Sequence, residues 1–342
     1  MKKLYCIAFL LIFQHTISWC QPAKVNSKLF FLDDTPIEVT ITTDIRKIKR
    51  DKKNLAWQPA HISMQFSDTL TVSEDIRMQP RGEYRKNNCD MASLMLNFKN
   101  VSSPLLSPLK KLKLVGDCKS GANYEEALLK EYLTYKILNF LSPMSFRVRL
   151  LHVTYKDSEE KVKAFTQYAF LIEDEHDLVE RNNCKETKRK DLYTEQTDRQ
   201  QMTFVSLFQF MIGNTDWSVY KCHNIKLMVS KNDTLSRPYA IPYDFDYSGF
   251  VNVGYAVPAE ELGIESVRQR AYRGYPRGYD ELQGVIDVFK EKKESIFYYV
   301  DHFELCNSRC RKDMMSYLDQ FYDIISNKKT VENIFIRNAR TQ

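Results

Sequence analysis

The sequence predicts an α+β fold of two unlike lobes, and three observations carry that reading. Short segments of alternating polarity fill the region up to residue 117, one uninterrupted helical stretch spans 124–141, and helical spacing dominates from Glu281 onward. The 342 residues are too many for one minimal core and suit a two-lobed arrangement. Twenty Phe and twenty Tyr favour strands and aromatic cores.

The first residues read as a secretion signal. Lys2 and Lys3 form a positive start, and the apolar run Ile7–Phe13 is far shorter than the roughly 20 residues needed to span a bilayer. Small residues at Ser18 and Cys20 place cleavage before Gln21, and Cys20 is also a candidate for lipid modification. The expected organisation is a signal at 1–20, a strand-rich lobe at 21–175 and a helical lobe at 176–342. No later segment is apolar enough for an integral membrane helix, so a secreted or periplasmic location follows. Losing Lys2 and Lys3 lowers the net charge from +6 to +4, a mild bias that gives no reason to expect a nucleic-acid partner. Six cysteines remain after the signal. An even number outside the cytosol predicts disulfides, although six allow 15 pairings; Cys306 and Cys310, four apart, are placed to bridge locally. There is no CxxC pair for zinc.

The strands are expected at 36–43, 60–66, 69–73, 76–84, 92–99 and 109–117. The stretch YEEALLKEYLTYKILNFL (124–141) has no Gly or Pro and reads as a helix, with Pro143 just beyond it. Two more strands flank the charged turn KDSEEK. Residues 179–192 are polar and charged and read as a loop. A buried helix at 203–212 ends at Gly213, and NIKLMV and PYAIPYD read as a hairpin.

That hairpin is the centre of the functional reading. If it is centred near Thr234, Asn224 stands opposite Asp244, with Cα atoms roughly 4.5–5.5 Å apart. Both side chains then ligate one hard cation, and a slip of one residue brings Asp246 or His223 into play. Just upstream, Asn214-Thr215-Asp216 follows the buried helix in a loop. Helix, loop Asp, strand, turn, strand and Asp-Phe-Asp is the order of parts in the catalytic centre of protein-kinase-like folds.

On these residues the chain resembles the kinase-like superfamily, and within it the spore-coat CotH-type kinases. PRGEYRKNNCDMASLMLNFK is similar to their early Arg-Gly turn followed by a basic strand. LKLVGDCKSGANYEEALLKEYLTYKIL is similar to their strand–helix pair, and IPYDFDYSGF to their metal segment. GNTD resembles the catalytic loop of HipA-type kinases. The resemblance covers roughly residues 76–250. It implies Asp216 as the catalytic-loop Asp, Asn224 and Asp244 as metal ligands with Asp246 a second candidate, Lys113 on the phosphates, and Glu131 as the ion-pair partner of Lys113. It further implies ATP, Mg²⁺ or Mn²⁺, and a protein or glycan hydroxyl as acceptor. The alternative is a pseudokinase-like binding module without catalysis. An Asp-to-Asn spacing of eight, Trp217 in the loop and the lack of a GxGxxG element favour that alternative. His223 reads as structural. The four arginines of RQRAYRGYPRGYD read either as a surface loop paired with local acids or as a phosphate-binding loop.

Overall fold

In the computed structural model seven strands of the N-terminal half close into a barrel. The structure describes residues 27–340 apart from Lys52, Asn54, Lys188, Lys190 and Thr234. The signal segment, with Cys20, lies outside the described residues. The strands are β1 (Ile37–Thr43), β2 (Gln58–Ser67), β3 (Leu70–Arg81), β4 (Ser93–Asn97), β5 (Lys111–Gly116), β6 (Val148–Asp157) and β7 (Phe165–Ile172). They run in the order β1-β2-β3-β4-β5-β7-β6, and β6 returns to β1 as a parallel pair with Ile37 beside Leu151. Period-two alternation sends Ile41, Ile62, Met64, Met78 and Leu96 inward, where they are buried together. Closure leaves this sheet no free edge.

Short helices decorate the barrel: α1 (Ser27–Phe30), α2 (Ile45–Arg50) and α3 (Glu83–Asn88). The last corrects the sequence reading. The segments expected as separate strands at 69–73 and 76–84 are one strand, and it stops at Arg81. Gly82 turns away with φ of 79°, and the expected basic strand beyond it is α3. Cys89 at the end of α3 is bonded to Cys118, just past β5, and the Asp90 N–H donates to the Cys118 carbonyl at 2.8 Å. This bridge closes a loop of 29 residues and pins α3 beside β5. Converting both cysteines to Ser is expected to lower stability by about 3–4 kcal/mol. A fall in urea-unfolding free energy of less than ~1 kcal/mol would show that the bridge is dispensable.

The long helix α4 (Ala122–Leu141) packs against the outside of the barrel. It is buried nearly all round, because the C-terminal helices cover its other face. Next come α5 (Glu175–Arg181) and the edge strand β8 (Cys184–Glu186), in the stretch expected to be a loop. Three strand residues carry no periodicity to read, and β8 exists because it pairs with β9 (Ile225–Ser230). β10 (Tyr239–Pro242) completes this three-stranded sheet. Between them α6 (Arg199–Ile212) starts at Asp198, whose carboxylate caps the Gln201 N–H at 2.8 Å, and ends at Gly213 in the left-handed region. A Cβ on Gly213 would overlap the Tyr317 hydroxyl. The helices α7 (Tyr279–Asp301), α8 (Ser308–Ser326) and α9 (Lys328–Glu332) close the C-terminal half. No helix among the described residues is long and apolar enough to cross a membrane.

Candidate active site

The hairpin forms, but one residue out of the expected register. Pro242 pairs with Ile225, and the Tyr243 N–H donates to the Asn224 carbonyl at 3.0 Å, so Asn224 faces Tyr243 rather than Asp244. The connection between β9 and β10 is too long to fix a register, and Thr234 within it lies outside the described residues. The slip does not separate the two residues. Both leave the strand conformation, Asn224 with φ of 52° and Asp244 with φ of 64°, so strict alternation no longer governs their side chains. Asp216, His223, Asn224, Asp244 and Asp246 all line one cavity of about 210 Å³.

Asp216 is held from several directions. Its backbone N–H donates to Asn214 Oδ1 at 2.9 Å. The Asn224 amide donates to the Asp216 carbonyl at 2.9 Å and to its Oδ2 at 3.0 Å. His223 Nε2 lies 2.8 Å from Asp216 Oδ1, so His223, read from sequence as structural unless the register slipped, belongs to the cluster. The eight-residue spacing is therefore spanned by a small loop closed by the Ser218–His223 bridge. Arg273 grips the same loop, donating to the carbonyls of Thr215 and, at 2.8 Å, of Trp217, the residues on either side of Asp216. Its guanidinium also lies 5.3 Å from the Trp217 ring centre. The other arginines of that segment have local partners too: Arg268 with Asp313, Arg270 with Met211 and Tyr317 carbonyls, Arg277 with Glu195. The segment is thus a structural strap, and Arg273 positions the loop.

Asp244 and Asp246 are not equivalent. Asp246 accepts the Tyr255 hydroxyl at 2.7 Å and lies 3.5 Å from Arg85. The Asp244 carboxylate has no hydrogen-bond or ion-pair partner among the described residues; only its backbone N–H is engaged, donating to the Tyr135 hydroxyl at 2.8 Å. Burial, then the neighbouring Asp246 charge, pushes its pKa up to about 6. An unpartnered carboxylate in a cavity suits a hard cation. Asn224 supplies a second oxygen, because its amide nitrogen is occupied while Oδ1 is left without a partner among the described residues. This oxygen-only donor set fits Mg²⁺ or Mn²⁺. Asp246, already engaged, fits less well as a ligand.

Glu131 has a different partner from the expected Lys113. Buried on α4, it pairs with Arg85 of α3, whose Nη2 is 3.3 Å from Glu131 Oε2. Arg85 Nη1 also donates to the Gly116 carbonyl at 2.5 Å. Burial, and after it Asp246, raises the Glu131 pKa well above the carboxylate range despite Arg85. Burial works against the Arg85 cation as well, but Tyr255, Glu131 and Asp246 outweigh it and hold its pKa above the ordinary value. The reason the sequence misled is that α3 was expected as a strand; only as a helix after Gly82 does it aim Arg85 at α4.

Lys113 is left free of that pair and lines the cavity with Arg81. They come from β5 and β3, either side of β4. Neither has a hydrogen-bond or ion-pair partner among the described residues; Lys113 sits 5.3 Å from the Tyr243 ring centre. Burial, then the Arg81 charge, lowers the Lys113 pKa to about 8. Burial lowers that of Arg81 too, against the pull of Asp244. Sequence reading gave Arg81 and Arg85 no role, although the Arg-Gly turn at 81–82 was a signal for the first; Arg273 was singled out, but as a surface or phosphate-binding arginine and not as a support for the Asp216 loop.

No family model matches the chain, and no curated protein matches it. Among solved structures, the Helicobacter pylori proinflammatory kinase CtkA is similar over 75% of this chain and 94% of its own, with 11% identity and a TM-score of 0.43. At that score and identity no residue role passes from that protein to this one; the roles below rest on this chain's own geometry.

Proposed function

We propose that this chain is an atypical kinase-like phosphotransferase that uses ATP with Mg²⁺ or Mn²⁺ and acts on a hydroxyl of a protein or glycan. One observation carries the reading: two partnerless cations, Arg81 and Lys113, share a small cavity with a partnerless carboxylate, Asp244. Buried charges persist where a ligand completes them. A polyphosphate with a divalent cation is complementary to both signs at once. Arg81 and Lys113 bind phosphate oxygens. Asp244 and Asn224 Oδ1 would hold the metal, which supplies charge neutralisation on the phosphates when bound. Asp216, fixed by Asn224, His223 and Arg273, orients the acceptor hydroxyl through its remaining lone pairs and takes up the proton. Val115, Phe146 and Ile172 give the cavity apolar walls suited to a flat heterocyclic base. On this reading Arg85 takes the place of Lys113 as the partner of Glu131. Secreted or periplasmic placement belongs to the proposal and rests on the Lys2–Cys20 segment and on the Cys89–Cys118 bridge.

The cavity volume, about 210 Å³, is below the roughly 300–1,000 Å³ of pockets that bury drug-sized ligands. A bound nucleotide therefore keeps part of its surface in solvent. The same observation favours the second reading, a pseudokinase-like binding module that takes no nucleotide. Thermal unfolding separates the two. ATP with Mn²⁺ at a hundred times its dissociation constant adds about 2.7 kcal/mol, or roughly 4 °C for a chain of this size. Lys113→Met is expected to remove most of that shift, and the shift is expected to shrink above pH about 8 as Lys113 loses its proton. An unchanged melting curve at millimolar ATP and Mn²⁺ would favour the binding module.

A further inference from the structure

A second cavity, of about 580 Å³, opens between the first turns of α4 and the start of α8 and plays no part in the proposed transfer. Cys306 and Cys310 both line it. Both are buried and free, and their thiols interact directly. Cys310 lies in the first turn of α8, where its backbone N–H donates to Asn307 Oδ1 at 2.9 Å. Lys130 also lines the cavity, 2.8 Å from Glu126. A helix N-terminus and a nearby ammonium both favour a thiolate. The contact with Cys306 lowers the Cys310 pKa from its ordinary value, whereas Cys306 is raised by the same contact and by burial.

We propose that Cys306 and Cys310 are a redox-active dithiol, closing to an intrachain disulfide by exchange with a small disulfide that enters this cavity. Cys310 gives up its proton and its thiolate attacks one sulfur of the incoming disulfide. That S–S bond breaks, one small thiolate leaves and takes a proton, and a mixed disulfide remains on Cys310. Cys306, deprotonated in turn, attacks the Cys310 sulfur and expels the second small thiol. Two protein thiols are oxidised and one small disulfide is reduced to two thiols. The roles follow from position: Cys310 lies in the first turn of α8, whose N-terminus favours a thiolate, and Cys306 precedes the helix, so Cys310 attacks and Cys306 resolves.

Exchange with oxidised glutathione tests this on the full chain. Reduced protein is incubated with it, quenched with acid, digested with trypsin without reductant and mapped by mass spectrometry. Trypsin cuts after Arg309, so closure appears as two peptides joined through Cys306 and Cys310. The joined pair is expected to accumulate, or to be present already before reduction. Cys306→Ser is expected to trap a lasting glutathione adduct on Cys310. Cys310→Ser is expected to slow adduct formation at Cys306 by at least about tenfold. Exposed Cys222 reports that the reagent is active. Modified Cys222 with Cys306 and Cys310 both remaining thiols overturns the proposal, and so do equal adduct rates at the two positions in the two variants.

Discussion

Asp244→Asn is expected to raise the stability of the protein while removing phosphoryl transfer. The Asp244 carboxylate is held in the cavity without a partner, and burial lifts its pKa to about 6 from an ordinary value near 3.8. The folded chain therefore holds this proton more tightly than the unfolded chain does. Stability falls as pH rises from about 4 to 6, and the full deficit, on the order of 2–3 kcal/mol, persists at pH 7.5. An uncharged Asn escapes the deficit, so the variant is expected to melt higher at pH 7.5 and to match the parent below about pH 4. Under the proposed function, in which Asp244 is a metal ligand, transfer to acceptor is expected to fall by at least on the order of 10²–10³-fold. This opposition is the usual mark of a functional site that holds strain for its ligand. A variant that melts lower at pH 7.5 and transfers phosphate as the parent does would show that Asp244 is an ordinary buried turn residue.

The second large effect separates Arg85 from Lys113. Arg85→Ala leaves Glu131 buried and uncompensated and takes a partner from Asp246. Removing one member of a buried pair costs about 3–5 kcal/mol. Glu131 already holds its proton above the ordinary carboxylate range, and the loss of Arg85 raises that range further. The variant is thus most stable at acidic pH and loses stability as pH rises above the unfolded carboxylate value near 4.5. Adding Glu131→Gln is expected to restore much of the loss at neutral pH, because the uncompensated charge is gone. Lys113→Met behaves in the opposite way. Lys113 bears a desolvation cost and no ion pair, so the substitution is expected to leave stability unchanged or slightly higher and to act only on nucleotide binding. Urea unfolding of the two variants at pH 5 and 7.5 reads both predictions. Equal destabilisation by Arg85→Ala and Lys113→Met would restore Lys113 as a partner of Glu131.

The difference between these two residues marks how far the sequence could be read. Regular elements with strong local signals were legible: the helix read at 124–141, the later turns of α6 with their Gly213 stop, and the two strands β9 and β10. The group Asp216, Asn224 and Asp244 was legible as well, because the order of helix, loop, strand and strand constrains where its members fall. What escaped depends on contacts distant in sequence. The β1–β6 parallel pair that closes the barrel joins residues such as Ile37 and Leu151, which no local pattern connects. The hairpin register was lost because a long turn does not specify it. Arg85 was lost because Gly82 ends β3 and starts a helix where alternation suggested more strand. Arg273 acts through backbone carbonyls on both sides of Asp216, and such a contact leaves no residue pattern at all.

The central claim is that cations from β3 and β5 and oxygens from the β9–β10 hairpin complete one ligand between them. A crystal structure with a non-hydrolysable ATP analogue and Mn²⁺, read by the anomalous signal of manganese, tests it most directly. The account predicts a peak about 2.1–2.3 Å from Asp244 and Asn224 Oδ1, with phosphate oxygens against Arg81 and Lys113. Manganese bound instead at the His176, Asp177 and Glu180 group on α5, with no nucleotide in the cavity, would contradict it.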